Sequence, residues 1–216
     1  MSRVRVFGIC MVLLFGGISL ASAGKGMDEG RFEPGWFGAG TGEFREAEEV
    51  DYLWVKPGFD LAGKSVRFAD WEEAVFLGED AGKRDAKDKR LANDLTRNMA
   101  PNLAEAFRNS PAAGAKVVDK GEDITVSGRI VDCSTGSAAA KFWVGMGAGS
   151  GGTTFDMKWV DRKSGQVVVA MHHRVVSGSN LSTTDSKLIK WIDEFAEELG
   201  KEGFDQQYKG GKKVKD

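Results

Sequence analysis

"TTFDMKWVDRKSGQVVVAMHHRVV", residues 153–176, decides how this chain folds. In its first third Phe155, Met157 and Trp159 fall on one parity, and Thr154, Asp156 and Lys158 on the other. Successive strand side chains point to opposite faces, so the alternation predicts a strand with one buried and one wet side. "DRKSG" then supplies a turn ending in glycine, suited to a hairpin with a bulge. "QVVVAMHHRVV" returns as a second strand, and its parity sets Val167, Val169 and Met171 on the buried face of the first.

The same period extends upstream. "ITVSGRIVDC" places Ile124, Val126 and Ile130 opposite Thr125, Ser127 and Arg129, and "KFWVGM" gathers Phe142, Val144 and Met146. Hairpin-linked strands of this kind make an antiparallel meander. Shorter strands are expected at Tyr52–Val55 and Ser65–Ala69. Two segments change to the helical period. Leu91, Leu95, Met99, Leu103 and Phe107 recur at fours, with Pro101 expected to kink the helix or to start a second one. Leu188, Ile192, Phe195 and Leu199 form the other stripe, flanked by Ile189 and Ala196. Asp185 or Ser186 is expected as its N-cap and Gly200 as its end. The fold class is therefore α+β: a mixed, largely antiparallel sheet with helices packed on one face, built from residues 51–204.

The ends read differently. Arg3 and Arg5 precede an apolar run from Val6 to Leu20, and Ala21-Ser22-Ala23 supplies small residues for a signal peptidase. This predicts a signal peptide over 1–23, cleaved after Ala23, and a periplasmic or secreted bacterial protein. No later apolar run approaches spanning length. Residues 24–50 are glycine-rich without a sustained period, as in a flexible leader, and 205–216 form a basic, glycine-broken tail expected to be disordered. The formal net charge of −2 gives no reason to expect nucleic acid. Removal of the signal leaves Cys133 as the one thiol, which excludes a disulfide scaffold.

Candidate chemistry is sparse. In "GMGAGSGG", residues 145–152, Gly147, Gly149 and Gly152 satisfy the dinucleotide spacing G-x-G-x-x-G. Such a site needs a helix immediately after the glycines, whereas "TTFDMKWVD" has the period of a strand. The glycines therefore read as a hairpin connection, and no cofactor is expected. His172 and His173 are adjacent and should point to opposite faces, so they cannot easily grip one metal. His173 takes the apolar side with Val169, Met171 and Val175, where a buried, hydrogen-bonded ring is expected. A Cys133–histidine pair is the one thiol-nucleophile constellation available, and nothing around "VDCSTG" supports it. No serine lies in G-x-S-x-G. The site candidates are His173, Cys133, Gly147 and Gly149, with no catalytic or metal-binding set.

Residues 127–168, "SGRIVDCSTGSAAAKFWVGMGAGSGGTTFDMKWVDRKSGQVV", resemble uncharacterised exported bacterial proteins, many of them lipoproteins. "GMGAG" and "VDRKSG" carry the likeness to domain-of-unknown-function families with a glycine-rich hairpin. The layout is also similar to TolB amino-terminal and curli-secretion-type α/β envelope domains. The resemblance implies an envelope location and an envelope protein as partner, and brings no catalytic residues. Unlike the lipoproteins, this chain has no cysteine at the expected mature end. The expectation is a non-catalytic binding module, with a hydrolase or small-ligand protein using a pocket near the glycine hairpin as the alternative.

Overall fold

The computed structural model describes residues 30–38, 40–110, 114–136, 150–177 and 183–204. A six-stranded sheet runs in the order β1-β6-β5-β4-β2-β3. Its strands are β1 (Tyr52–Val55), β2 (Ser65–Phe68), β3 (Lys116–Val117), β4 (Ile124–Ser134), β5 (Gly152–Asp161) and β6 (Val167–Val176). The β4-β5-β6 meander and β1 pair antiparallel, while β2 pairs parallel with both β3 and β4. The protein is thus α+β with a mixed, largely antiparallel sheet. The "KFWVGM" run at 141–146 lies outside the described residues, as do residues 1–29 and the tail 205–216.

Two long helices, α2 (Ala86–Asn109) and α3 (Thr184–Glu202), cover one face. The four-residue turn α1 (Pro34–Phe37) lies on the other. Helix α2 begins in a capping box, Asp85 accepting from the Asp88 amide and Asp88 from the Asp85 amide. It continues through Pro101 as one helix, so neither a break nor a second start occurs there. Helix α3 is capped by Thr183 and ends at Gly203, whose positive φ of 68° suits glycine. Gly200, the expected end, lies one turn inside. Ile189, expected to flank the buried stripe, is 47% exposed.

The helix-covered face holds the main core. Leu95, Met99, Leu103 and Phe107 of α2 and Leu188, Ile192, Phe195 and Leu199 of α3 meet Ile124, Val126, Ile130, Phe155, Met157, Trp159, Val169 and Met171. Phe155, Met157 and Trp159 sit opposite His173, Met171 and Val169. Val167 departs from the expected parity. The β5–β6 register shifts after the Trp159–Val169 pair, so Val160 faces Val167, which packs against the opposite cluster. A bulge of one residue flips every side chain beyond it. Trp71 reaches the same core over Gly128. A Cβ at Gly128 would lie 2.8 Å from the Trp71 ring and 2.6 Å from the Asp156 carbonyl oxygen.

The second face is not wet. Thr154 and Asp156, expected toward solvent, are 1% and 0% exposed. They lie under residues 31–38 and 40–46, part of the segment 24–50 that the sequence presents as a flexible leader, and these here form a strap across the sheet. Phe37 and Phe44 of the strap bury against Trp54 and Ala170, with Phe32, Trp36, Tyr52 and Val167 beside them. Arg45 exchanges both backbone hydrogen bonds with Leu53, closing the β1 edge. The chain then rounds that edge, Ala47 and Val50 joining the helix-side core and the Glu49 carbonyl accepting from the Trp191 indole at 2.8 Å. Aromatic residues at 32, 36, 37 and 44 are what a glycine-rich segment needs to dock.

Candidate functional site

The register of three strands builds a charged row beneath the strap. Arg129 of β4 sits opposite Asp156 of β5, which sits opposite His172 of β6. The Asp156 carboxylate accepts from His172 Nδ1 at 2.7 Å on one oxygen and from Arg129 Nε at 2.9 Å on the other, which also lies 2.9 Å from Arg129 Nη2 in an ion pair. Asp156 and His172 are fully buried. The Phe32 ring stands edge-on to the imidazole, centroids 5.2 Å apart. A buried carboxylate survives only when paired and hydrogen-bonded, and here both oxygens are engaged.

Arg129 reaches outward as well. Its Nη2 donates to Glu33 of the strap at 2.9 Å, and its guanidinium lies 4.7 Å from the centre of the Trp36 ring. Lys158 holds its ammonium 3.8 Å from the same ring centre, and the Trp36 indole donates to Glu72 at 2.9 Å. One turn along the strands a second buried cluster forms. Asp132 accepts two 2.7 Å hydrogen bonds from Arg84, and the strap's Arg31 places Nε 3.0 Å away. Nearby, Asp88 accepts from the Thr135 amide and hydroxyl, tying the start of α2 to the end of β4.

Chemically, this row orients and neutralises. Asp156 is fully buried and each of its oxygens is engaged, by Arg129 or by His172, so an external substrate does not reach it while the strap is down. The geometry fixes the strap's position instead.

The sequence candidates fall elsewhere. His173 lies on the helix face between Phe155 and Trp191, with Nδ1 3.1 Å from Asp51 Oδ2 and 3.2 Å from the Asp51 amide nitrogen. Burial pushes the Asp51 carboxyl up, but the hydrogen bond and attraction of His173 and the Arg174 amide outweigh it and leave it below the usual aspartate value. Cys133 is fully buried, with Sγ 3.5 Å from Thr153 Oγ1, and burial pushes its thiol up to about 11. Strand β5 separates Cys133 from His173, which puts their backbones about 10 Å apart and makes no thiol–imidazole pair. Gly147 and Gly149 lie outside the described residues, and the segment from Gly152 onward is strand β5, with no helix start for a pyrophosphate. No group of three metal-binding side chains occurs among the described residues.

Sequence reading missed Arg129, Asp132, Asp156 and His172. A signal was present for Arg129, Asp156 and His172, which the hairpin register makes neighbours; Asp132 has the other parity from Arg129 and reaches this face only through the β4 register shift between Ile130 and Asp132. At the far end of the hairpin a cleft of about 380 Å³ is lined by Lys56, Phe59, Asp60, Lys64, Asp161 and Ser164. Its carboxylates already accept from Ala62 and from Ser164. No described helix is long and apolar enough to cross a membrane.

No curated protein matches the sequence. Among solved structures, the PelC dodecamer of Paraburkholderia phytofirmans is 12% identical over 68% of this chain and 94% of that one, with a TM-score of 0.45. Protein XCC0632 of Xanthomonas campestris is 11% identical over 68% and 88%, with a TM-score of 0.40. Lipoprotein GNA1162 of Neisseria meningitidis is 13% identical over 61% and 94%, at 0.35. A family model spans residues 55–177, from the end of β1 through the whole meander. That match bears out the resemblance to domain-of-unknown-function families, and the chain belongs to the family of the domain of unknown function DUF4410.

Proposed function

We propose that this protein is an exported component of a bacterial cell envelope that works as a non-catalytic binding module for a protein or other envelope component. One observation carries the reading. The groups best suited to chemistry are engaged with one another: Asp156 with Arg129 and His172, Cys133 with Thr153, and His173 with Asp51. A hydrolytic site keeps at least one such group facing a cavity where a substrate can meet it. Export is supported by the basic start, apolar run and Ala21-Ser22-Ala23 of residues 1–23.

The test is cross-linking of the tagged chain inside its native host, followed by fractionation and mass spectrometry. The expected result is an N-terminus at Gly24, recovery with the envelope, and one cross-linked partner that the His173→Gln/Cys133→Ser double variant retains. Retention of Met1 in the cytosolic fraction sinks export. A double variant that is folded and exported yet reproduces the deletion phenotype sinks the non-catalytic reading.

A further inference from the structure

Residues 31–37 have the anatomy of a bound ligand. Glu33 offers a carboxylate to Arg129, Trp36 places its indole against both Arg129 and Lys158, and Phe37 buries to 1% exposure. The backbone hydrogen bonds of Trp36 and Gly38 close on Glu33 and Gly35, within the segment itself. The Glu33–Arg129 pair is only half enclosed, since the Glu33 side chain is 50% exposed. Such half-exposed pairs hold weakly, and the firmer holds on the segment are Phe37 and Arg31, the latter buried beside Asp132. Immediately downstream stand Gly38 and Gly40, at φ of 99° and 102°, where an added side chain would meet nothing within 4 Å. Both positive φ values are ones glycine adopts at little cost, and neither position is packed against other atoms. The receptor residues Arg129 and Lys158 lie within the family match, whereas the strap precedes it.

We propose that residues 31–37 are a displaceable internal ligand, and that the sheet face they cover docks a partner protein segment of the same chemistry. That segment carries a carboxylate and, three residues on, an aromatic pair. The inference rests on the binding-module reading and names its surface. An internal ligand on a short linker acts at about millimolar effective concentration, so a partner must bind more tightly than the strap to replace it.

The probe is a labelled peptide of residues 30–38, GRFEPGWFG, titrated into the purified full chain by fluorescence anisotropy. Glu33→Ala/Trp36→Ala should bind it at least about tenfold more tightly than wild type, because the competing strap is weakened. Lys158→Glu introduced into that variant should weaken binding again. On the wild-type chain, saturating peptide should speed amide exchange in residues 31–37 while β4, β5 and β6 stay protected. Equal binding by both chains, or none by a variant with native circular dichroism and melting, overturns the proposal. So does a stable dimer in which copies exchange residues 31–37, which assigns the face to self-association. Loss of the in-cell partner with peptide binding intact sinks only the envelope reading; loss of peptide binding with that partner retained sinks only this site.

Discussion

The two faces of one sheet are closed by different physics. On the helix side, α2 and α3 press a continuous apolar layer onto Phe155, Met157 and Trp159. On the strap side, residues 31–38 and 40–46 cover a row of charges with a few aromatic rings and ion pairs. Apolar burial is non-directional and sums over area, so the helix face tolerates no opening short of unfolding. Ion pairs are directional, and the half-exposed pair at the rim, Glu33–Arg129, exchanges readily for water or for another ligand, so local opening of the strap face starts there. A core and a cover are thus distinguished by what fills them, although both are built from alternate residues of the same strands.

The largest effects break that comparison at its two centres. Trp159 is fully buried, with ring centroids 5.2 Å from Phe204 and 5.8 Å from Phe107. Trp159→Ala should destabilise by about 3–5 kcal/mol in urea unfolding, through lost transfer energy and the cavity left behind. A loss under about 1 kcal/mol would show that this face is not the main core.

On the strap face Asp156→Ala leaves Arg129 and His172 buried without their carboxylate, and should cost a similar amount, about 3–5 kcal/mol. The cause differs, and a second variant separates them. Arg129→Met with Asp156→Leu removes both charges and should recover much of the loss, because well-packed apolar groups often replace a buried pair without penalty. If the double variant is no more stable than Asp156→Ala, the row is held by shape and not by charge.

Next is Gly128→Ala. Its Cβ would press on the Trp71 ring and on the Asp156 carbonyl, backbone that cannot yield easily. Overpacking of this kind should cost about 1–3 kcal/mol, and the melting temperature measures it. Asp51 gives a pH test of the helix-side edge. Its carboxyl is lowered in the folded state, so the stability it contributes is present above the unfolded value of about 3.9. That stability is lost as pH falls through the lower folded value. Asp51→Asn should therefore flatten the acid limb of a stability–pH curve and leave its slope near neutrality unchanged.

The smallest effect belongs to Lys158→Ala. Its ammonium touches the half-exposed Trp36 ring, a cation–π contact worth about 0.5–1 kcal/mol at such sites. Thermal melts should shift little. A change as large as that of Trp159→Ala would mean that the strap belongs to the core and cannot open.

Much of the fold was legible because its signals are periodic. Ile124, Val126 and Ile130, Phe155, Met157 and Trp159, and the two helical stripes repeat at strand and helix spacing, and each lands on the helix-covered face. Val167 was not legible, since a bulge leaves no mark in an all-valine run. The sequence singles out His173 as a site candidate, whereas the buried charged row is built on His172. Parity placed His173 on the apolar side, where it is, but treated the other parity as solvent. His172 is the one with no exposure.

What the sequence determined by itself was the alternation: which residues of β4, β5 and β6 share a face between their bulges, and which segments wind into helices. That follows from local geometry, because side-chain direction along a strand or helix depends only on position in the chain. What only the tertiary structure decided was what covers each face. A helix announces its apolar stripe within a dozen residues, but the strap has no period. Phe32, Trp36, Phe37 and Phe44 become a cover only because Arg129, Asp132 and Asp156, some hundred residues away in the chain, offer charges that Arg31 and Glu33 can meet. Complementarity between distant segments has no local signature, so Asp156 reads as a wet residue until the strap is laid across it.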